Sequence, residues 1–196
     1  MVLPLTYFGN PVLRRKGDPV SEITPELEQF IEDMFDTMEK HRGIGLASQQ
    51  VGRAIQLTVI DIRPVEDRPS TLELDGEEAD PHSIMPLVLL NPEIEPLAAE
   101  VSGPEGCLSF PEIYGDVSRP EKIRVKALNE RNEPVEFVCG GLLARCVQHE
   151  TDHLHGILFT DRMDRDTKAE LRDELDVLQK ATKAILAEAA EADSDQ

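Results

Sequence analysis

The sequence contains no tryptophan and few other aromatic residues, with six phenylalanines and two tyrosines among 196 residues. A core built from this chain must therefore be mainly aliphatic. Long apolar runs are also missing. No stretch approaches the roughly 20 apolar residues that cross a bilayer, and residues 1–15 lack the continuous apolar segment of an export signal. These absences predict a cytoplasmic protein without a membrane span.

Cysteine is scarce as well. The three cysteines, Cys107, Cys139 and Cys146, are an odd number in a sequence without a recognisable export signal. This favours reduced thiols over a disulfide framework. A thiol is therefore available to bind a metal.

Basic residues are fewer than acidic ones. The chain has 20 lysines and arginines and 39 acidic residues, which gives a formal net charge of −19. Such a chain repels phosphate backbones and lacks a counterion-release drive, so nucleic acids and anionic membranes are not expected partners. A length of 196 residues, 40% of them apolar, suits one domain. We expect a single, monomeric domain over residues 1–183 and an acidic tail over residues 184–196 that frays.

Helical patterns occur in three places. Thr24 and Pro25 form a helix start, and an apolar stripe with helical spacing continues until Gly43 ends it. Residues 142–153 follow a glycine pair and fit a buried helix. A last helix from about Asp164 carries leucines on one face, at positions 171, 175 and 178.

Strand patterns lie between these helices. Residues 56–62 and 87–90 are typical of strands, and residues 123–127 with 135–138 are typical of a hairpin. Residues 63–82 carry seven acids and three prolines, which predicts an exposed, mobile insertion loop. The fold class is therefore α+β, with mixed or antiparallel strands packed around the helix over residues 142–153 and a C-terminal helix.

The strongest local motif is H-E-x-x-H over residues 149–153. On a helix, the four-residue spacing puts His149 and His153 one turn apart on the same face, which suits two ligands of one metal. Glu150 lies about 100° round the helix from His149, where it can act on a water molecule as a general base. The alternative is that both histidines only cap or pack the helix.

A catalytic metal site needs a third protein ligand and an open position. The metzincin pattern would require a histidine at position 159, where Phe159 stands, so that class is excluded. Glu170 or Glu174 would instead give a gluzincin-like protease. Both lie beside basic residues, as on a solvated helix face, but their spacing alone does not exclude them.

Two cysteines are also candidates for the third ligand. Cys146 shares the histidine face but lies about 10 Å along the helix axis from His153, too far for one ion to hold it with both histidines. Cys107, in the segment EGCLSFP, would complete a Cys-His-His set, although a lone cysteine is more often a core residue. A structural zinc protein is the remaining alternative, and such sites usually have four protein ligands.

Three separated motifs give the chain a family resemblance: GIGLASQQ over residues 43–50, EGCLS over 105–109 and QHETDHLHG over 148–156. In this order they resemble peptide deformylase over nearly the whole chain, except residues 63–82 and the acidic tail. The resemblance implies a metal-dependent hydrolase that removes the N-formyl group from the N-terminal formylmethionine of nascent polypeptides and releases formate.

The resemblance also implies roles for individual residues. Cys107, His149 and His153 would hold one divalent metal, usually Fe(II), which Zn, Ni or Co can often replace. The remaining catalytic roles fall to Glu150 as the proton carrier and to the Gln50 amide and the Leu108 backbone N–H as oxyanion donors.

The same resemblance implies a substrate site for N-formylmethionyl peptides. The backbone at Ile44 and Gly45 would pair with the peptide like an added strand. Ile44, Leu142, Cys146 and His149 would surround the methionine side chain, although plain core packing is the alternative for these residues.

Three features depart from the family pattern. Ser48 replaces the commonest alanine, a change expected to be tolerated. Arg145 replaces an aliphatic residue near the methionine pocket, and we expect its stem to pack there while its guanidinium reaches water. Several members dock on the ribosome through a basic last helix, whereas residues 184–196 contain four acids and no base. We therefore expect no ribosomal RNA binding by that route.

Overall fold

The computed structural model describes residues 1–194, with side chains through residue 192. Its strands are β1 (Gly45–Ala47), β2 (Leu57–Ile60), β3 (Ser70–Leu74), β4 (Glu77–Ala79), β5 (Leu87–Pro96), β6 (Glu100–Cys107), β7 (Phe110–Pro120), β8 (Lys122–Leu128) and β9 (Pro134–Gly140). Its α-helices are α1 (Pro25–Lys40), α2 (Gly141–Leu154), α3 (Phe159–Arg162), α4 (Arg165–Glu170) and α5 (Arg172–Ser194). The α+β prediction is confirmed.

Seven of the strands form one antiparallel sheet in the order β1-β2-β5-β8-β9-β3-β4. Strands β6 and β7 pair only with each other among the described residues and form a separate two-stranded ribbon. The predicted hairpin is β8 with β9. The base of the ribbon is joined to β5 and β8 through the chain and through backbone hydrogen bonds from Leu97 to Lys122 and from Glu121 to Ala99, whereas its far end is positioned by other contacts.

Helix α1 forms as its start signal predicts. The Thr24 side chain accepts a hydrogen bond from the Leu27 N–H, and Pro25 occupies the first helical position, where its missing N–H leaves no bond unmade. The buried face of α1, including Met34 with no exposed surface, packs against β1 and β2. This cluster is one of three apolar cores in the described chain.

Helix α2 lies at the centre of the fold. It follows β9 directly and packs against the large sheet through buried apolar residues such as Leu143 and Val147. Gly141 begins the helix at φ +65°, and a Cβ there would lie 2.2 Å from the Pro69 carbonyl oxygen. Only glycine fits this junction without a shift. The predicted buried central helix is confirmed.

The prediction of a loop over residues 63–82 is wrong for part of that segment. Strands β3 and β4 form a hairpin there, and β3 pairs with β9, with Leu72 opposite Cys139 and fully buried. The turn between them is Asp75-Gly76, and both residues have positive φ. Asp-Gly is a strong hairpin signal, which the acidic composition of the segment obscured.

The C-terminal helix begins near the predicted residue. Asp164 caps α4 by accepting a hydrogen bond from the Thr167 N–H, and Leu171 separates α4 from α5. Helix α5 continues through residue 194, and residues 195–196 of the predicted tail lie outside the described residues. Fraying of this tail stays a prediction. None of the helices found over residues 1–194 is long and apolar enough to cross a membrane.

Candidate metal centre

The ribbon and α2 bring the three predicted ligands together. Cys107 ends β6, while His149 and His153 lie one turn apart on α2. Their ligand atoms all lie within 4.8 Å of one another, and the Cys107 Sγ is 3.3 Å from the His153 Nε2. Both imidazoles are buried, whereas Cys107 is partly exposed. One sulfur and two nitrogens so arranged fit a transition-metal ion with a further position open towards solvent.

The alternative ligand sets are not assembled. Glu170 and Glu174 are exposed on α4 and α5 and join no metal-binding group among the described residues. The Cys146 Sγ contacts the Ile44 carbonyl oxygen at 3.6 Å, and burial raises the pKa of this thiol well above its ordinary value. Cys146 therefore remains a neutral residue in the wall of the site, as predicted.

Glu105 fixes the orientation of one ligand. Its Oε2 lies 2.9 Å from the His149 Nδ1, which leaves the Nε2 of that ring available to bind a metal. Burial favours the protonated carboxyl, but hydrogen bonds from His149 and Arg119 outweigh it and lower the pKa of Glu105 to about 2. A carboxylate behind a ligand histidine fixes both its tautomer and its direction.

An ionic chain extends from Glu105 to the surface. The buried Arg119 guanidinium donates to Glu105 at 2.5 and 3.0 Å and to Asp152 at 2.7 Å. Asp152 also accepts two bonds of 2.6 Å from Arg162, whose side chain is 43% exposed. The sequence alone did not predict a role for these residues. The available signal was that Glu105 and Asp152 are acids inside two of the motifs that carry the resemblance.

Glu150 stands apart from this ionic chain. It is 4% exposed, and its Oε2 has no hydrogen-bond partner among the described residues. Burial raises the pKa of Glu150 to about 7, and a divalent cation beside it would favour the carboxylate form. A Cβ at position 45 would lie 2.5 Å from the Glu150 Oε1, so Gly45 leaves the space that this carboxylate occupies. Such a group suits proton transfer near neutral pH.

Gln50 and Leu108 both lie near the predicted sulfur ligand, Gln50 in contact with it and Leu108 next to it in the chain. The Gln50 Nε2 donates to the Cys107 Sγ at 3.3 Å, while its Oε1 accepts a bond of 2.8 Å from the Ala47 N–H. Leu108 follows Cys107 directly, and both Gln50 and Leu108 line the same pocket. The side-chain amide is therefore held with its donor end towards the centre.

This pocket is open and has a volume of about 680 Å³. It lies between the end of the ribbon and β1, which is the last strand of its sheet and pairs on one side only. The structure brings the predicted substrate residues to its lining, namely Ile44, Gly45, Leu142, Cys146 and His149. Residues that were not predicted from the sequence also line this pocket, including Tyr7, Arg42, Arg68 and Tyr114.

The prediction for Arg145 is wrong in one respect. Its guanidinium does not reach into water, because its side chain is only 11% exposed. It donates instead to the Val101 and Val117 carbonyl oxygens, each at 2.7 Å. Ser48 is buried, and its Oγ donates to the Ile55 carbonyl oxygen at 2.6 Å. An alanine at position 48 could not form this hydrogen bond.

Comparison with known proteins gives a consistent result. Residues 2–169 match the family model described as polypeptide deformylase. A peptide deformylase of Opitutus terrae is 46% identical over 94% of this chain and 96% of its own length. A crystal structure of a peptide deformylase from Synechococcus elongatus, in complex with actinonin, is 40% identical with a TM-score of 0.72, covering 92% of this chain and 86% of that one. A plant peptide deformylase structure reaches a TM-score of 0.78 at 34% identity, covering 93% and 91%.

Proposed function

Since the chain belongs to the polypeptide deformylase family, it is a metal-dependent hydrolase that removes the N-formyl group from nascent peptides, and we propose that Cys107, His149 and His153 hold its metal. The observation that supports this ligand set is the convergence of one thiol and two imidazoles beside the unpartnered Glu150 carboxylate. No fourth protein ligand joins them among the described residues, which favours a catalytic site over a structural zinc site.

Fe(II) is the proposed native ion, with Zn, Ni or Co as substitutes, because sulfur and imidazole ligands suit all of these ions. When bound, the ion supplies Lewis-acid chemistry by polarising the formyl oxygen and lowering the pKa of water. Everything else in the reaction is assigned to the protein's own side chains and backbone.

Glu150 is proposed to move the proton. Its free Oε2 takes a proton from the water molecule that attacks the formyl carbon. It then delivers that proton to the peptide nitrogen as the C–N bond breaks, so that formate and a free amine leave. A carboxyl whose pKa is raised to about 7 can both accept and release a proton near neutrality.

Two donors are proposed for the oxyanion that forms on the formyl oxygen. They are the side-chain amide of Gln50, which already points towards the centre, and the backbone N–H of Leu108. Donors held in place before the reaction stabilise charge without reorganising, and loss of one typically costs about 2.7–4 kcal/mol of barrier.

The substrate is proposed to bind along the free edge of β1. The backbone at Ile44 and Gly45 would pair with the formylmethionyl peptide as an added strand. Ile44, Leu142 and Cys146 would then surround the methionine side chain, and their mainly apolar surfaces suit a thioether.

The cellular setting is also a proposal. A monomer in the cytoplasm, acting on N-formylmethionyl peptides, agrees with the charge and composition of the chain. The exposed acidic end of α5 does not favour docking on ribosomal RNA. Ribosome co-sedimentation that depends on salt and disappears when residues 184–196 are deleted would contradict this view.

The test compares formate release from formyl-Met-Ala-Ser with cleavage of an unformylated peptide bond, and we expect only the former. Cys107→Ala should lose its metal together with its activity, as measured by elemental analysis of protein purified without oxygen. A Cys107→Ala protein with full metal content would overturn the ligand assignment. Cleavage of internal peptide bonds would favour a protease instead.

A further inference from the structure

The proposed metal ligands lie on two separate elements, so other contacts must fix the position of one element relative to the other. Cys107 ends a ribbon that shares no strand pairing with the large sheet, while both histidines lie on α2, which is packed against that sheet. A small displacement of the ribbon would move the sulfur relative to the imidazoles. The base of the ribbon is tied to the large sheet by backbone hydrogen bonds at Leu97 and Glu121, so contacts between α2 and the ribbon determine how firmly its distal end, with Cys107, is held beside the imidazoles.

Arg145 makes such contacts from a suitable place. It lies four residues before His149 on α2, so the two side chains leave neighbouring turns of the same helix face. Its guanidinium donates at 2.7 Å to the Val101 carbonyl oxygen of β6 and at 2.7 Å to the Val117 carbonyl oxygen of β7. One side chain on the ligand helix thus binds the backbone of both ribbon strands.

The same guanidinium also meets the carboxylate that orients a ligand. Its Nη1 lies 3.0 Å from the Glu105 Oε1, while the other oxygen of Glu105 accepts from His149. Arg145 therefore joins three parts of the centre: the helix with the imidazoles, the ribbon with the sulfur, and the carboxylate between them.

The space around this guanidinium is closely fitted. A Cβ at Gly103 would lie 3.2 Å from the Arg145 Nη2, which is closer than an ordinary contact. Several acceptors in different directions require a planar group with several fixed donors, which arginine has and lysine lacks. The geometry thus suits arginine specifically and not a positive charge alone.

We infer that Arg145 is a positioning residue that holds the Cys107 ribbon against the ligand helix and so determines how firmly the metal is retained. This inference rests on the proposed ligand set of Cys107, His149 and His153. It gives Arg145 no contact with the reacting atoms. A role limited to the global stability of the protein would leave the metal dissociation rate unchanged.

The test uses the full-length, zinc-loaded protein and follows transfer of zinc to a chromophoric chelator. Arg145→Met keeps the stem and removes every donor, and we expect its zinc to dissociate about 10-fold faster, which corresponds to the low end of the affinity loss that follows removal of a direct outer partner of a metal ligand. In the cobalt-loaded protein, the thiolate-to-cobalt absorption should weaken because the sulfur is less well placed. The kcat for formyl-Met-Ala-Ser should fall with little change in KM.

Arg124→Met is the matched control. Arg124 lies on β8 and forms ion pairs with Glu95 and Glu136 at the surface, so this variant loses the same charge and donors and keeps the same stem, away from the ligands. We expect its zinc transfer rate and cobalt spectrum to equal those of the parent protein. Equal acceleration in both variants would contradict the inference, because it would attribute the effect to charge alone.

Two milder variants guard against misfolding of Arg145→Met. Arg145→Lys retains the charge but not the fork of donors, and Gly103→Ala displaces the guanidinium while leaving Arg145 in place. Both variants should release zinc at a rate between those of the parent protein and Arg145→Met. If all Arg145 and Gly103 variants keep the parent's rate and spectrum, the inference is wrong while the ligand set stands. If Cys107→Ala retains zinc, the ligand set itself is wrong.

Discussion

Helices α2 and α5 have similar patterns in sequence but opposite roles in the structure. Each combines apolar residues at helical spacing with charged residues. In α2 the charged residues are inside the protein, since His149, Glu150 and Asp152 are all buried. In α5 the charged side chains through residue 192 are exposed, and even Val177 and Ile185 are 69% and 66% exposed.

This difference in burial distinguishes α2, which carries the candidate site, from α5, which covers a core. A buried charge is tolerated when it is paired, as Asp152 is with two arginines. A buried polar atom without a partner, such as the Oε2 of Glu150, needs a functional reason. Among its described side chains, helix α5 buries neither paired nor unpaired charges. It serves mainly to cover the core beneath it, to which it contributes Leu175.

The comparison predicts its largest effect at Glu150. Glu150→Gln keeps the shape but cannot accept the proton, so we expect kcat for formate release to fall by about 10²- to 10⁴-fold. Metal content should stay unchanged. The matched variant is Glu174→Gln on α5, which should retain full activity. Comparable losses in both variants would remove the distinction between the helices.

A second test concerns stability. Asp152→Ala leaves Arg119 buried with one counter-charge fewer, and removing one partner of a buried ion pair typically costs about 3–5 kcal/mol of unfolding free energy. Asp173 on α5 pairs with Arg172 at the surface, where such pairs contribute little, and Asp173→Ala should not shift the urea midpoint. An unshifted midpoint for Asp152→Ala would show that the ionic chain is not a structural requirement.

A third test asks how much α5 contributes to the core. Leu175 is 7% exposed and belongs to the cluster that contains Phe110 and Phe159. Leu175→Ala should lower the free energy of unfolding by about 2–5 kcal/mol, as such truncations do. The control is Val177→Ala, because Val177 lies two residues further along α5 and is largely exposed. Similar unfolding midpoints for both would mean that α5 is not packed on this core.

The smallest effect is expected from the end of α5. Deleting residues 184–196 removes mostly exposed side chains among those described, so the free energy of unfolding should change by less than about 0.5 kcal/mol. Formate release should be unaffected. A clear loss of stability or activity would show that this part of α5 does more than extend the helix.

Local signals in the sequence were sufficient for much of the fold. The Thr24 cap and the apolar stripe predicted α1, and the spacing of His149 and His153 predicted a helix with two ligands. The structure confirms both elements and brings the two histidines together with Cys107. Each of these signals lies within one turn or one helix, where sequence distance and spatial distance are closely related.

What the sequence did not reveal depends on distant partners. The bonds from Arg119 to Glu105 and Asp152 join residues 14 and 33 positions apart. The direction of the Arg145 side chain follows from carbonyl groups 28 and 44 positions away. The β3–β4 hairpin had a local signal in Asp75-Gly76, but its pairing with β9 is again a long-range contact.

Strand β1 is only three residues long, and at about 3.3 Å per residue its edge measures roughly 10 Å. An edge of that length can align the first few residues of a peptide and nothing further downstream. If the substrate peptide pairs along this edge, as proposed above, the enzyme contacts only the first residues of the peptide, and peptides that differ further along can bind equally well. The same shortness makes the edge a poor template for joining other sheets.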